Sequence, residues 1–302
     1  MDKHTIPRTI RILLPVILLS LSGFTLSPSL VPQQEIVSGG PPKDGIPALS
    51  RPVIESADTA NQWLAANDRI LGVVVNGKPR AYPLRILNWH EIVNDRIADH
   101  PLVITYCPLC GSGMAFDTTD QFGVSGLLYQ SDVLLYDKRS ESLWSQLMMM
   151  AVAGPRRGEN MPTLPVSHTT WRALLAAHPD TTVLSRNTGY HRDYSRNPYA
   201  GYELSPRLYF DVSHKDDRLH PKAWVIGLKL GTTARAWAVA DVRQHGEIHD
   251  HSGQKNLLLR YRHETVEISD GDTGEVLYGT VLYWFAWAAF HPETSLFESG
   301  TD

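Results

Sequence analysis

The chain has 302 residues, a formal net charge of -4, 42% hydrophobic and 20% charged residues, and no basic stripe interleaved with aromatics. That length can bury a large core and suggests more than one unit. The composition argues against disorder and gives nucleic-acid binding no support.

At the N-terminus Lys3, Arg8 and Arg11 precede an uncharged stretch running from Ile12 to Val31. A basic start followed by an apolar run is the layout of an export signal, or of an uncleaved membrane anchor. Residues 1–31 are therefore expected to be a signal peptide or anchor, with the body outside the cytoplasm, periplasmic or at the cell surface. Residues 32–50, "PQQEIVSGGPPKDGIPALS", are rich in Pro and Gly and read as a linker. In "LGVVVNGKPRAYPL" two apolar runs flank Asn76-Gly77, a hairpin signal because this pair accepts the positive φ angles of a tight turn.

The stretch 71–95 aligns without a gap on 226–250, so that Gly72, Arg80, Ala81, His90 and Asp95 meet Gly227, Arg235, Ala236, His245 and Asp250. Tyr106 then meets Tyr261, and "WRALLAAHPDTTVL" meets "WFAWAAFHPETSLF" at a shorter offset. Three matches in one order imply a duplicated hairpin-helix-strand…helix unit. The expected fold class is α+β, built from internally duplicated β-rich units. The first repeat spans 51–186 and carries a 42-residue insertion relative to the second. Residues 187–224 form a connecting arm rich in Tyr, Arg and Pro, and 225–302 the second repeat. Helices are expected at 57–66, 84–94, 168–177, 240–248 and 284–290. Strands are expected at 71–76, 79–83, 101–106, 124–129, 132–137 and 181–185, then at 225–230, 235–239, 256–261, 265–269 and 276–283.

The insertion holds both cysteines of the chain, Cys107 and Cys110, in "TYCPLCGSG". Outside the cytoplasm such a pair has three readings. As a metal knuckle it supplies two thiolates, and His90, on the preceding helix, is the leading third ligand. Two thiolates and an imidazole suit copper first and zinc second, for delivery to another extracytoplasmic protein. As a redox dithiol the pair would make the protein a thiol–disulfide oxidoreductase, with Cys107 the more exposed thiol. A thioredoxin-like motif, however, opens a helix, and "GSGMAF" is a poor helix start. As a structural disulfide in a non-catalytic scaffold the pair closes too small a loop to stabilise much. Gly111 excludes c-type haem attachment.

Other polar residues have plainer readings. His245 occupies the His90 position in the unit without cysteines, which favours a scaffold role for that position. Asp132 and Asp137 read as turn or edge residues; Asp117, Asp120 and Asp132 could bind a hard cation, but their spacing fits no known loop pattern, and Ser125 lacks the surroundings of a hydrolase nucleophile. "LMMM" (147–150) reads as packing before it reads as thioether ligands. The strings "AYPLRILNWHEIVND", "ITYCPLCGSGMAFD", "FGVSGLLYQSDVLLYDKRSESLWSQ" and "AVAGP" resemble an uncharacterised family of exported bacterial and archaeal proteins, the domain of unknown function 3179. The resemblance is strong over residues 46 to 200. It implies no activity and no catalytic residues.

Overall fold

A computed structural model describes residues 23–298. Most of the expected signal or anchor, residues 1–22, lies outside the described residues. Strands take 41% and helices 13% of them, and five sheets are arranged as the blades of a five-bladed β-propeller. The expected α+β class is thereby corrected. Among the described residues no helix exceeds seven residues. Among the described residues no helix is long and apolar enough to cross a membrane.

The correction has a local cause. The helix expected over 84–94 stops at His90, because Glu91 takes a φ of 55°, and Ile92–Ile97 continues as a strand. Ile92 and Val93 fit an apolar helix face equally well, so periodicity alone does not separate the two states. The stretch Val239–His245 likewise ends at Gly246, φ 74°, and Glu247–Ser252 is a strand. Ser112–Asp117, whose glycines suggested a loop, is a central strand flanked by His100–Cys107 and Thr163–Leu164. Leu143–Ser145 and Met150–Ala153 are further strands that the Met-rich segment concealed.

The helix-containing unit expected from the sequence is not a building block of the fold. Arg69–Val75 and Lys78–Pro83 form one sheet, whereas Ile92–Ile97 and His100–Cys107, which follow in the chain, belong to another. The same division separates Trp224–Leu230 and Thr233–Ala238 from Glu247–Ser252 and Lys255–Arg262. Each division is bridged by an ion pair between matched residues, Arg80 to Asp95 at 2.8 Å and Arg235 to Asp250 at 2.6 Å. Both carboxylates are nearly buried and take a second donor, the Tyr82 hydroxyl or the Trp237 indole N–H. Removing one partner would leave a buried charge unpaired, which is strongly destabilising.

Two sheets position the site. The cysteine sheet has Thr163–Leu164, Ser112–Asp117, His100–Cys107, Ile92–Ile97 and Leu49–Ser50 in that order. The aspartate sheet has Ile36–Ser38, Phe122–Tyr129, Asp132–Asp137, Leu143–Ser145 and Met150–Ala153. Residues 32–50 are thus not a tether, since Ile36–Ser38 pairs with Leu127–Tyr129 and Leu49–Ser50 pairs with Val93 and Asn94. Phe24 and Val31, in the stretch expected to be leader, are buried against Leu127, Leu134, Tyr136 and Leu143. The arm joining Leu184 to Trp224 has no helix or strand. It folds over the cysteine region, where Tyr202 is buried in the same apolar cluster as both cysteines. Met148 and Met150 pack under the aspartate sheet.

Candidate metal centre

Cys107 ends its strand, and Cys110 sits in the turn before Ser112. The turn closes through Gly111 at φ 66°, where a Cβ would stand 2.7 Å from the Trp224 ring and 3.1 Å from Tyr283. Only glycine combines that backbone with that approach. The turn is further fixed by the Tyr283 N–H, which donates to the Cys110 carbonyl at 2.8 Å. Beneath it Gln146 joins the two sheets, accepting from the Ser112 hydroxyl at 2.5 Å and donating to Thr105 at 2.8 Å.

Asp132 approaches from the aspartate sheet. It follows the two-residue turn Gln130-Ser131, whose φ angles are 51° and 65°. Such a turn ordinarily takes Asn-Gly, and a non-glycine residue held in a sparsely populated conformation costs about 1–3 kcal/mol. Outside contacts hold it. Gln130 donates to Glu35 and accepts from the Ser213 N–H at 2.7 Å, and the Ser131 hydroxyl donates to the Phe210 carbonyl at 3.0 Å. Both thiols point at the Ser131 carbonyl, Cys110 at 3.4 Å and Cys107 at 3.8 Å.

The result is a group of three potential ligands. One atom each of Cys107, Cys110 and Asp132 lies within 4.8 Å of the others, and all three residues are buried. The cysteines are free, with relative exposures of 1% and 0%. The cysteines are close but not at disulfide distance, and Cys107, expected to be the more exposed, is buried like its neighbour. Asp132 Oδ2 accepts from the Leu147 N–H at 3.1 Å, while Oδ1, equally buried, has no hydrogen-bond partner.

A second carboxyl closes the site. Glu91 is 7% exposed and lies near enough for Asp132 to act on its ionisation, with the Tyr199 hydroxyl donating to it. Burial, then the Asp132 charge, pushes Glu91 up to about 8, against the pull of Tyr199. Burial pushes Asp132 up to about 7, against the Leu147 N–H and the neighbouring thiols. Burial raises both thiols as well; for Cys107 the hydrogen bond to Cys110 opposes it, and for Cys110 its neighbour's charge adds to it. No cationic side chain is among the causes of these four shifts. Four acids converge in a buried volume.

His90 does not belong to the group. Its Nδ1 donates to the Pro47 carbonyl at 2.8 Å, and its Nε2 meets the Tyr194 hydroxyl at 2.6 Å. A carbonyl only accepts, so Nδ1 carries the proton and the Nε2 lone pair is taken by Tyr194. Burial lowers the pKa of His90, which keeps the ring neutral in that role. The expected ligand is a brace for the former tether, and the residue after it faces the site instead.

Asp132 escaped the sequence because it lies on another sheet, 22 residues beyond Cys110. A signal for Glu91 existed in the self-alignment, where it stands opposite Gly246. Beside the site is a cavity of about 360 Å³ lined by Glu91, Tyr199, Leu109, Val133 and other apolar residues.

Residues 43–275 match the family model described as a protein of unknown function (DUF3179), and the chain belongs to that family. No curated protein and no solved structure matches the chain.

Proposed function

We propose that this member of the DUF3179 family binds one soft-to-borderline metal ion, zinc in first place, through Cys107, Cys110 and Asp132. The observation that carries the reading is the convergence of these three buried ligands within 4.8 Å of one another. A zinc ion lies about 2.3 Å from sulfur and about 2.0–2.2 Å from a carboxylate oxygen. Around a tetrahedral ion two such ligands stand roughly 3.6–3.8 Å apart, within the 4.8 Å that bounds the group. Replacing the expected imidazole by a carboxylate moves the preference from copper(I) towards zinc, since hard oxygen donors disfavour the softer ion. Three protein ligands leave a fourth position, and Glu91 is placed to take it or to orient what does.

Thiol–disulfide exchange is less well supported. An attacking cysteine needs an accessible thiolate, whereas both thiols are buried and held in the protonated form. The same burial favours holding the ion over handing it to a partner. An extracytoplasmic location, supported by the composition of residues 1–31, fits this reading, because a bound ion would keep the dithiol reduced where free thiols oxidise. The test is zinc titration of the reduced protein against a chromophoric chelator. One tight site per chain, lost in Cys107→Ser and Cys110→Ser alike, supports the proposal, and a flat titration refutes it.

A further inference from the structure

A second cavity, of about 250 Å³, also borders the cysteine turn. Pro108, between the two cysteines, forms part of its wall, as Leu109 does for the cavity beside Glu91. Tyr106 and Tyr283 also line it, with exposures of only 5% and 4%. Among the described residues neither hydroxyl has a hydrogen-bond partner. The rings are buried while the two hydroxyls remain accessible, so a ligand seated in the cavity can complete them.

Arg69 supplies the charge. Its guanidinium carbon lies over the Trp224 ring, 3.9 Å from the centroid, and the group makes no ion pair among the described residues. Trp224 packs in turn on the Tyr283 ring, centroids 4.4 Å apart, and Arg69, Tyr106 and Tyr283 line the same cavity. The cavity's carboxylates are otherwise engaged. Asp68 pairs with Arg85 at 2.7 Å, and Glu203 accepts from the Trp224 indole N–H at 2.7 Å.

We infer that this cavity binds the carboxylate of a small organic acid, held by the Arg69 guanidinium and the hydroxyls of Tyr106 and Tyr283. A planar guanidinium matches a carboxylate in two parallel hydrogen bonds, and the hydroxyls can donate to the same oxygens. A dianion is disfavoured, since Arg69, Arg85 and Arg196 on the wall are set against Asp68 and Glu203, which leaves a single net positive charge. Aromatic walls suit an unsaturated or ring-bearing acid. The inference is independent of the metal proposal, because none of the three groups is a proposed ligand.

The experiment uses the full chain, metal-free and zinc-loaded, titrated calorimetrically with benzoate, acetate and inorganic phosphate. Saturable binding of benzoate and acetate is expected in both forms, weakened about tenfold or more by Tyr106→Phe, Tyr283→Phe and Arg69→Gln. The two Tyr→Phe variants remove one oxygen each and keep the rings, so a folding defect in Arg69→Gln leaves the test intact. No saturation by either carboxylate overturns the inference, as does unchanged affinity in both Tyr→Phe variants. Phosphate binding as tightly as benzoate overturns the assignment to a carboxylate.

Discussion

Glu91 and Gly246 hold the same backbone conformation. Each follows a seven-residue helix ending in histidine, at φ 55° and 74°, and donates its N–H back to Leu87 or Val242. Each then accepts through its carbonyl from a tyrosine N–H, Tyr106 at 2.7 Å and Tyr261 at 2.9 Å. Positive φ is easy for glycine and costly for glutamate. Where the chain has no cysteines it uses the unstrained residue, and beside the cysteines it keeps a strained, buried carboxyl. Strain retained at one of two like positions points to a function for that side chain.

Glu91→Gly should therefore separate stability from binding. The variant relieves the backbone and removes a buried carboxyl, so the urea midpoint of the metal-free protein should rise, by about 1 kcal/mol or more in stability. Zinc affinity should fall, by about 10- to 100-fold if Glu91 acts from outside the ligand set. A destabilised variant with unchanged affinity would show that the carboxyl serves the fold alone.

The pH dependence of the metal-free protein follows from Asp132 and Glu91. Both pKa values are raised on folding, to about 7 and about 8. Between an unfolded value near 4 and these folded values the native state binds more protons, so stability falls as pH rises. Thermal midpoints of the metal-free protein should drop steadily from pH 5 to 8. Zinc binding displaces those protons, so the zinc-induced rise in midpoint should grow over the same interval. A metal-free midpoint that climbs with pH would contradict the protonated, unpaired site.

His90→Gln tests the brace. The variant loses the arrangement that holds Pro47 and Tyr194, and should cost about 1–3 kcal/mol in stability. Zinc stoichiometry and affinity should stay within about twofold of the wild type, since affinity differences of that size fall below the loss of any ligand or outer-shell partner. A tenfold or larger loss of affinity would restore His90 to the ligand set.

Gly111→Ala addresses the cysteine turn. The added methyl meets the Trp224 ring at 2.7 Å in a backbone that disfavours any side chain. Destabilisation of about 1–3 kcal/mol is expected, with weaker zinc binding because Cys110 shifts. A variant with wild-type stability would mean that the turn is looser than its contacts indicate.

The legible and the hidden parts of this protein divide along one physical line. Apolar alternation and Asn76-Gly77 mark the hairpin of Arg69–Val75 and Lys78–Pro83, and the two-residue spacing marks the cysteine pair, because both are local. Pairing between sheets is not local. Asp132 reaches the cysteines through a turn whose Gln-Ser sequence carries no hairpin signal and whose conformation depends on Glu35, Phe210 and Ser213. The Ile92–Ile97 strand was hidden for a related reason, since the helix before it ends on a glutamate that nothing nearby predicts to take positive φ. The Pro- and Gly-rich residues 32–50 looked like a tether, yet they pair with two sheets and accept the His90 proton at Pro47.

The central claim is tested most directly by the X-ray absorption spectrum of the zinc-loaded, reduced protein. The account predicts one zinc per chain with two sulfur neighbours at about 2.3 Å and oxygen neighbours at about 2.0–2.2 Å, losing one oxygen in Asp132→Ala, and no tightly held zinc in Cys110→Ser. Zinc surrounded only by oxygen and nitrogen, or unchanged by both substitutions, would contradict it.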